Sequence, residues 1–141
     1  MFYIFSYYDE ITADTIYVSM DSCPSFPYSH KIIDTPIKSD LQDGYQFIRP
    51  RFTKDRKSYD LKFDYATEID TTKIETLEKY VRYVESFKYY YDFPEDTGDP
   101  ITDLQNEPYA IVALQTAINF SLQMYTEKSK YWSFNIKLGE V

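Results

Sequence analysis

Few residues of this chain are of a type that could do chemistry, and they fall in three places. Residues 94–108 carry Glu95, Asp96, Asp99, Asp103 and Glu107 around two chain breakers, Gly98 and Pro100. Asp96, Asp99 and Asp103 are oxygen donors of the kind calcium takes. Their spacing is not that of an EF-hand loop, and Gly98 does not stand at its turn position. A solvated loop facing a partner is the plainer reading. The second place holds the sole cysteine, Cys23, and the sole histidine, His30. One of each falls short of a zinc set unless carboxylates complete it, and as a nucleophilic pair they lack a third group. Carboxylate pairs of the glycosidase kind arise by chance in a chain with 23 Asp and Glu. With three glycines and no Walker or dinucleotide pattern, nothing cradles a phosphate. The expectation is a protein without catalytic residues, metal or cofactor.

The third place is basic. Arg49, Arg51 and Lys54, extended by Arg56 and Lys57, interrupt a chain of net charge -8 and pI ≈ 4.6. That balance argues against specific nucleic-acid binding, which needs clustered cations against phosphates. It is compatible with a surface that DNA passes without sticking. The patch reads either as a charged edge that discourages aggregation or as a contact with an acidic neighbour. In an assembly of identical copies the acidic loop of the next subunit would be that neighbour. The candidate interface residues are then Arg49, Arg51, Arg56 and Lys57 against Glu95, Asp96, Asp99 and Asp103.

The elements that must position these groups are read from hydrophobic period. Ile118, Phe120, Leu122 and Met124 alternate with polar residues, and Trp132, Phe134, Ile136 and Leu138 do so after a polar link. A two-residue period with a short link predicts an antiparallel hairpin with one buried and one wet face. Tyr59, Leu61, Phe63 and Tyr65 predict another strand, after a strand over 45–53 and a hairpin link over 54–57. Residues 2–8 and 15–20 predict two more around a polar turn. Pro24, Pro27 and Pro36 make 21–36 an extended connection. Ile74, Leu77, Val81, Val84 and Phe87 lie on one helical stripe. Thr72 with Glu75 is spaced as a capping box, and Glu75/Lys79 and Glu78/Arg82 as i,i+4 pairs. This predicts one helix over about 72–87 packed on the sheet. Phe87, Tyr89, Tyr91 and Phe93 then predict a strand stopped by Pro94.

At 141 residues the chain is long enough for one domain with a real core. Residues 1–25 form a possible extra N-terminal hairpin on a 26–141 core. The apolar opening is too short for a membrane span and meets Asp9 and Glu10 at once, so no membrane partner is expected. The lone cysteine cannot form an intrachain disulfide. Sixteen Tyr and ten Phe suit half-buried pleated surfaces or aromatic contact surfaces. The fold class expected is α+β, mainly β.

The order of these pieces resembles the lambda minor tail protein M family of long-tailed phages, from Pro27 onward. The matching pieces are Asp43-Gly44-Tyr45 followed by Arg49, the strand at Tyr59 to Tyr65, the helix at Ile74 to Val84, Phe87-Lys88-Tyr89 through Pro94, and the closing stretch from Trp132 to Val141. The resemblance implies a tail-tube-like antiparallel β-sandwich or barrel with a flanking helix. It implies a virion component, assembled in the bacterial host cytoplasm as a ring, a hexamer by that resemblance. The ring would join tail tube to tail tip, and the resemblance implies the tape-measure protein as a further partner. The family carries no enzymatic residues. Two other readings of the residues stand beside it. One is an aromatic-rich β-sandwich binding module that stacks tyrosines on sugars or serves adhesion. The other is an acidic DNA-mimic inhibitor.

Overall fold

The structure, a computed structural model, describes residues 1–25, 29–32, 37–40, 46–49, 56–81 and 85–141. It is a mainly antiparallel β protein, as the hydrophobic periods predict. Strands β1 (Phe2–Asp9), β2 (Asp14–Met20), β3 (Ser29–Ile32), β6 (Lys57–Thr67), β7 (Phe87–Tyr89), β8 (Ala110–Leu114) and β10 (Lys130–Glu140) pair in the order β2-β1-β7-β8-β10-β6-β3. Strand β9 (Ser121–Tyr125) pairs with β10 off this path. A separate two-stranded sheet joins β4 (Ile37–Asp40) to β5 (Gln46–Arg49). The strand expected over 45–53 is thus β5, and its partner is β4 rather than the strand that follows it.

The path is open, with β2 and β3 at its ends, but consecutive chain joins those ends. After β2 the chain runs back along β6. Thr67 N–H donates to Ser22 Oγ (3.4 Å), Ser25 N–H to Lys62 O (2.6 Å), and Ser29 then stands opposite Asp60. The sheet is strongly curled. Tyr59 on β6 and Tyr89 on β7 are three strand steps apart, roughly 14 Å in a flat sheet, yet their ring centroids are 5.0 Å apart. The concave side holds Ile4, Phe5, Leu61, Phe63, Val112, Phe134, Ile136 and Leu138, all buried. Phe63 and Phe134 stack there at 4.9 Å.

Helix α1 (Glu68–Tyr80) fills the gap that the curl leaves, touching β2, β6 and β10. It starts four residues before the expected boundary because Thr67, where β6 ends, is the N-cap and accepts from Asp70 N–H at 3.4 Å. The capping box expected at Thr72 is therefore not the cap; the Thr72 hydroxyl donates back to Glu68 O. Ile74 and Leu77 are buried as expected, but Val81 is the half-buried C-cap, and Val84 lies outside the described residues. Glu75 and Lys79 form no ion pair. The described ion pairs are the Met1 amino group with Asp21 and Lys62 with Asp64, each at 3.7 Å.

Two further expectations are corrected. The aromatic strand ends at Tyr89 instead of running to Phe93. Tyr90 is buried beside Tyr89, which breaks the alternation, and Phe93 turns the chain at φ 49°. Nor is the acidic stretch structureless. Asp99 and Pro100 open a one-turn helix, α2 (Pro100–Asp103), in which proline sits where no N–H is needed.

Candidate functional site

The acidic stretch begins as a backbone pairing alongside β1 and then closes over Tyr3 as a lid. Tyr3 N–H donates to Pro94 O (2.8 Å), Phe2 bridges Glu95, and Asp96 N–H donates to Met1 O (3.1 Å). This explains why five successive residues of β1, Tyr3 to Tyr7, are all buried: one face meets the core and the other meets the lid and Tyr90. The Tyr3 hydroxyl donates to Asp96 Oδ1 (2.7 Å) and lies 3.4 Å from Asp103 Oδ2. Asp96 also accepts from Gly98 N–H (2.9 Å), a turn that Gly98 completes at φ 100°. Asp103 accepts from the Thr97 hydroxyl and N–H, and Asp99 from the Thr102 hydroxyl. The carboxylates expected to face a partner are largely engaged in holding their own loop. Glu95 and Asp99 remain exposed at its surface.

Burial, then the hydrogen bond and charge of Asp96, push the Tyr3 hydroxyl well above its ordinary range. In return, the Tyr3 hydroxyl and the Gly98 N–H hold the Asp96 carboxyl below the ordinary 3.8. The Thr97 hydroxyl and N–H do the same for Asp103. Because both folded values lie below the unfolded ones, this contribution is present above about pH 4 and is lost as pH falls through the folded values. Amide-exchange protection of Thr97 and Gly98 should therefore fall as the solution is acidified below about pH 4. Tyr3→Phe should move that fall to higher pH. An identical profile in Tyr3→Phe would show that the hydroxyl does not hold the carboxylate.

Of the basic candidates, Arg49 ends β5, Arg51 lies outside the described residues, Arg56 is half-buried and Lys57 is exposed at the start of β6. Lys57 N–H donates to Glu140 Oε2 (3.2 Å) and the Tyr59 hydroxyl to Glu140 Oε1 (2.9 Å). Lys57 and the acidic lid lie on one rim of the curled sheet, joined through the ends of β10, β8, β7 and β1. Four strand steps, roughly 20 Å, separate them around the rim. Cys23 is exposed, and His30 on β3 lies beside the Tyr59 ring at 6.3 Å. Among the described residues no cluster of His, Cys, Asp and Glu is arranged to hold a metal ion.

One feature was expected to be core and is not. The hairpin of β9 and β10 forms as its alternation predicts, with Tyr131 opposite Met124, but every residue of β9 is exposed. Leu122 is 48% and Met124 45% accessible, and Tyr125 68%. Strand β8 covers the same edge of β10 only at Leu138 to Glu140, so β9 extends past the layered part of the fold as a wing. Beside its root, α1 and residues 114–120 enclose a groove of about 800 Å³. Leu114, Ile118, Phe120 and Val81 give it an apolar lining, and Glu75, Glu78 and Lys79 a charged lip. Glu78 Oε2 is buried there without a hydrogen-bond partner among the described residues; Arg82, its expected i,i+4 partner, lies outside them.

No family model matches the chain, and no curated protein matches it. Among solved structures it is similar to a chain from the tail of an empty GTA particle with C6 symmetry. The TM-score is 0.46 and the identity 9%, over 99% of this chain and 90% of that one.

Proposed function

We propose that this chain is a structural subunit of a phage-type tail, a ring-forming minor or distal tail protein that joins tube to tip. The observation that carries the reading is the order of its pieces, which resembles the minor tail protein M family: Asp-Gly-Tyr turn, amphipathic strand, helix, short aromatic strand, Pro-containing acidic segment and closing strand. Two physical features support it. A net charge of -8 suits a wall past which DNA slides without binding. The uncovered β9 edge is the kind of surface that isolated domains blunt and assembling subunits cover.

The partners are further copies of the chain and the tube and tip proteins above and below. The Arg49-to-Lys57 region and the acidic lid serve as opposed contacts between adjacent copies. The test is incorporation. Particles assembled with Arg51→Glu and Arg56→Glu together are expected to carry at least about tenfold less of this subunit, because like charges placed across a contact repel. The circular-dichroism spectrum of the purified variant should not change. Undiminished incorporation would remove the charged contact from the reading. Absence of the unaltered chain from purified tails would remove the tail role itself.

A further inference from the structure

We infer that the lid, residues 94–108, opens and closes over the start of β1 as one braced unit, with the Tyr3 hydroxyl as its latch. The lid holds mostly to itself. Asp96 accepts from Gly98 N–H, Asp103 from the Thr97 hydroxyl and N–H, and Asp99 from the Thr102 hydroxyl. Backbone bonds from Asp103 N–H to Asp99 O and from Leu104 N–H to Pro100 O close its single helical turn. Its hold on the sheet is small by comparison. Pro94 alone of these residues is buried, Ile101 is 77% exposed, and no side chain of 95–108 belongs to the hydrophobic core. Among the described residues the bonds that tie the lid down run to Met1, Tyr3 and Ser19. A segment braced within itself, with little apolar surface buried against its neighbours, opens at a lower free energy than the whole fold.

Both ends of the lid are built to turn. Phe93 swings the chain away at φ 49°, while its ring stays anchored against Phe2 and Tyr89 at 5.4 and 6.4 Å. Pro108, which has no N–H to bond, stands just before β8. The latch is a single proton. The Tyr3 hydroxyl donates to Asp96 Oδ1 at 2.7 Å and lies 3.4 Å from Asp103 Oδ2, so two carboxylates converge on one donor. Without that donor their like charges face each other, which favours opening. Opening uncovers the Tyr3 ring, 3% exposed when closed, and Tyr17 beside it at 6.3 Å. It also frees Tyr3 N–H and Met1 O as an unpaired edge. Glu95 and Asp99 ride on the lid, so a partner that touches them selects the position it fits. The opening itself does not depend on the tail reading.

Hydrogen exchange of the full chain at about pH 6, where both carboxylates are charged, reads the opening directly. The Tyr3 and Asp96 amides bond across the seam between lid and strand. They are expected to exchange together, at least about tenfold faster than the paired amides of β6 and β10, and without the denaturant dependence of global unfolding. Tyr3→Phe should speed both by one common factor of at least about ten. Ile74→Val, which loosens the core under α1, should speed the β6 and β10 amides about fivefold and leave the seam pair unchanged. Exchange of the pair at the core rate, unequal or absent acceleration in Tyr3→Phe, or acceleration of the pair by Ile74→Val overturns the inference. These rates are read on purified chain and incorporation is read on particles, so the lid and the tail role can fail separately.

Discussion

Ile74→Asp is expected to lower stability by about 4 kcal/mol or more, the largest effect of any single change considered. Ile74 is fully buried on the face of α1 that closes the curled sheet, within the same core as Phe63, Phe134 and Ile136. The apolar neighbours described there cannot solvate a carboxylate. At this chain length each kcal/mol corresponds to about 3–4 °C, so the melting temperature should fall by more than about 12 °C. Ile74→Val, which keeps the shape, should cost only about 1 kcal/mol. A melt of Ile74→Asp within a few degrees of the unaltered protein would mean that α1 does not close the core.

The second large effect is at Asp70, and it is polar. Asp70 is buried, and its carboxylate accepts from Ser22 Oγ (2.7 Å), Ser22 N–H (3.0 Å) and Asp21 N–H (3.4 Å). These bonds tie the first turn of α1 to the chain leaving β2, where the sheet's two ends come together. Lys73 reinforces the tie by donating to Ser19 O at 2.6 Å. Asp70→Ala strands the Ser22 donors in a part-buried corner and should cost about 3 kcal/mol. Asp70→Asn keeps an acceptor and should recover about half of that. Equal losses in the two variants would show that shape, not hydrogen bonding, holds the corner.

Much of the sheet is legible in the sequence, and the reason it is not all legible is specific. Leu61 and Phe63, and then Phe134, Ile136 and Leu138, alternate because each faces a filled concave side, and there the period gives both geometry and burial. Leu122 and Met124 alternate equally well in the sequence, yet Gln123 is an extra residue in the pairing with β10, so the two take opposite faces, and both are exposed. A period of two shows neither where a bulge breaks the alternation nor whether a second layer lies against a face. The helix boundary shifts for a local reason, since Thr67 and Thr72 are both capable caps and only the end of β6 selects between them. In the acidic stretch the useful signal was present but outweighed by net charge. Asp-x-Gly at residues 96–98 and Asp-Pro at 99–100 are turn and helix-start signals that predict an ordered lid. Its docking through the Tyr3 hydroxyl depends on a strand more than ninety residues away and has no sequence signature. The candidate groove was not legible at all, because α1 and residues 114–120 meet only through the curl.

Strand β10 sits near the middle of the sheet and carries β6, β8 and β9 as neighbours, with Leu138 opposite Tyr59 on one side and Leu114 on the other. It also follows both β6 and β8 in the chain. During synthesis β6 and β8 emerge before the strand that lies between them, so the concave core cannot close until β10 has followed. The nascent chain therefore carries an unpaired edge on each of β6 and β8 until β10 emerges, and its folding is slow in the manner of topologies built from distant pairings. Chaperone demand should follow from that order of emergence.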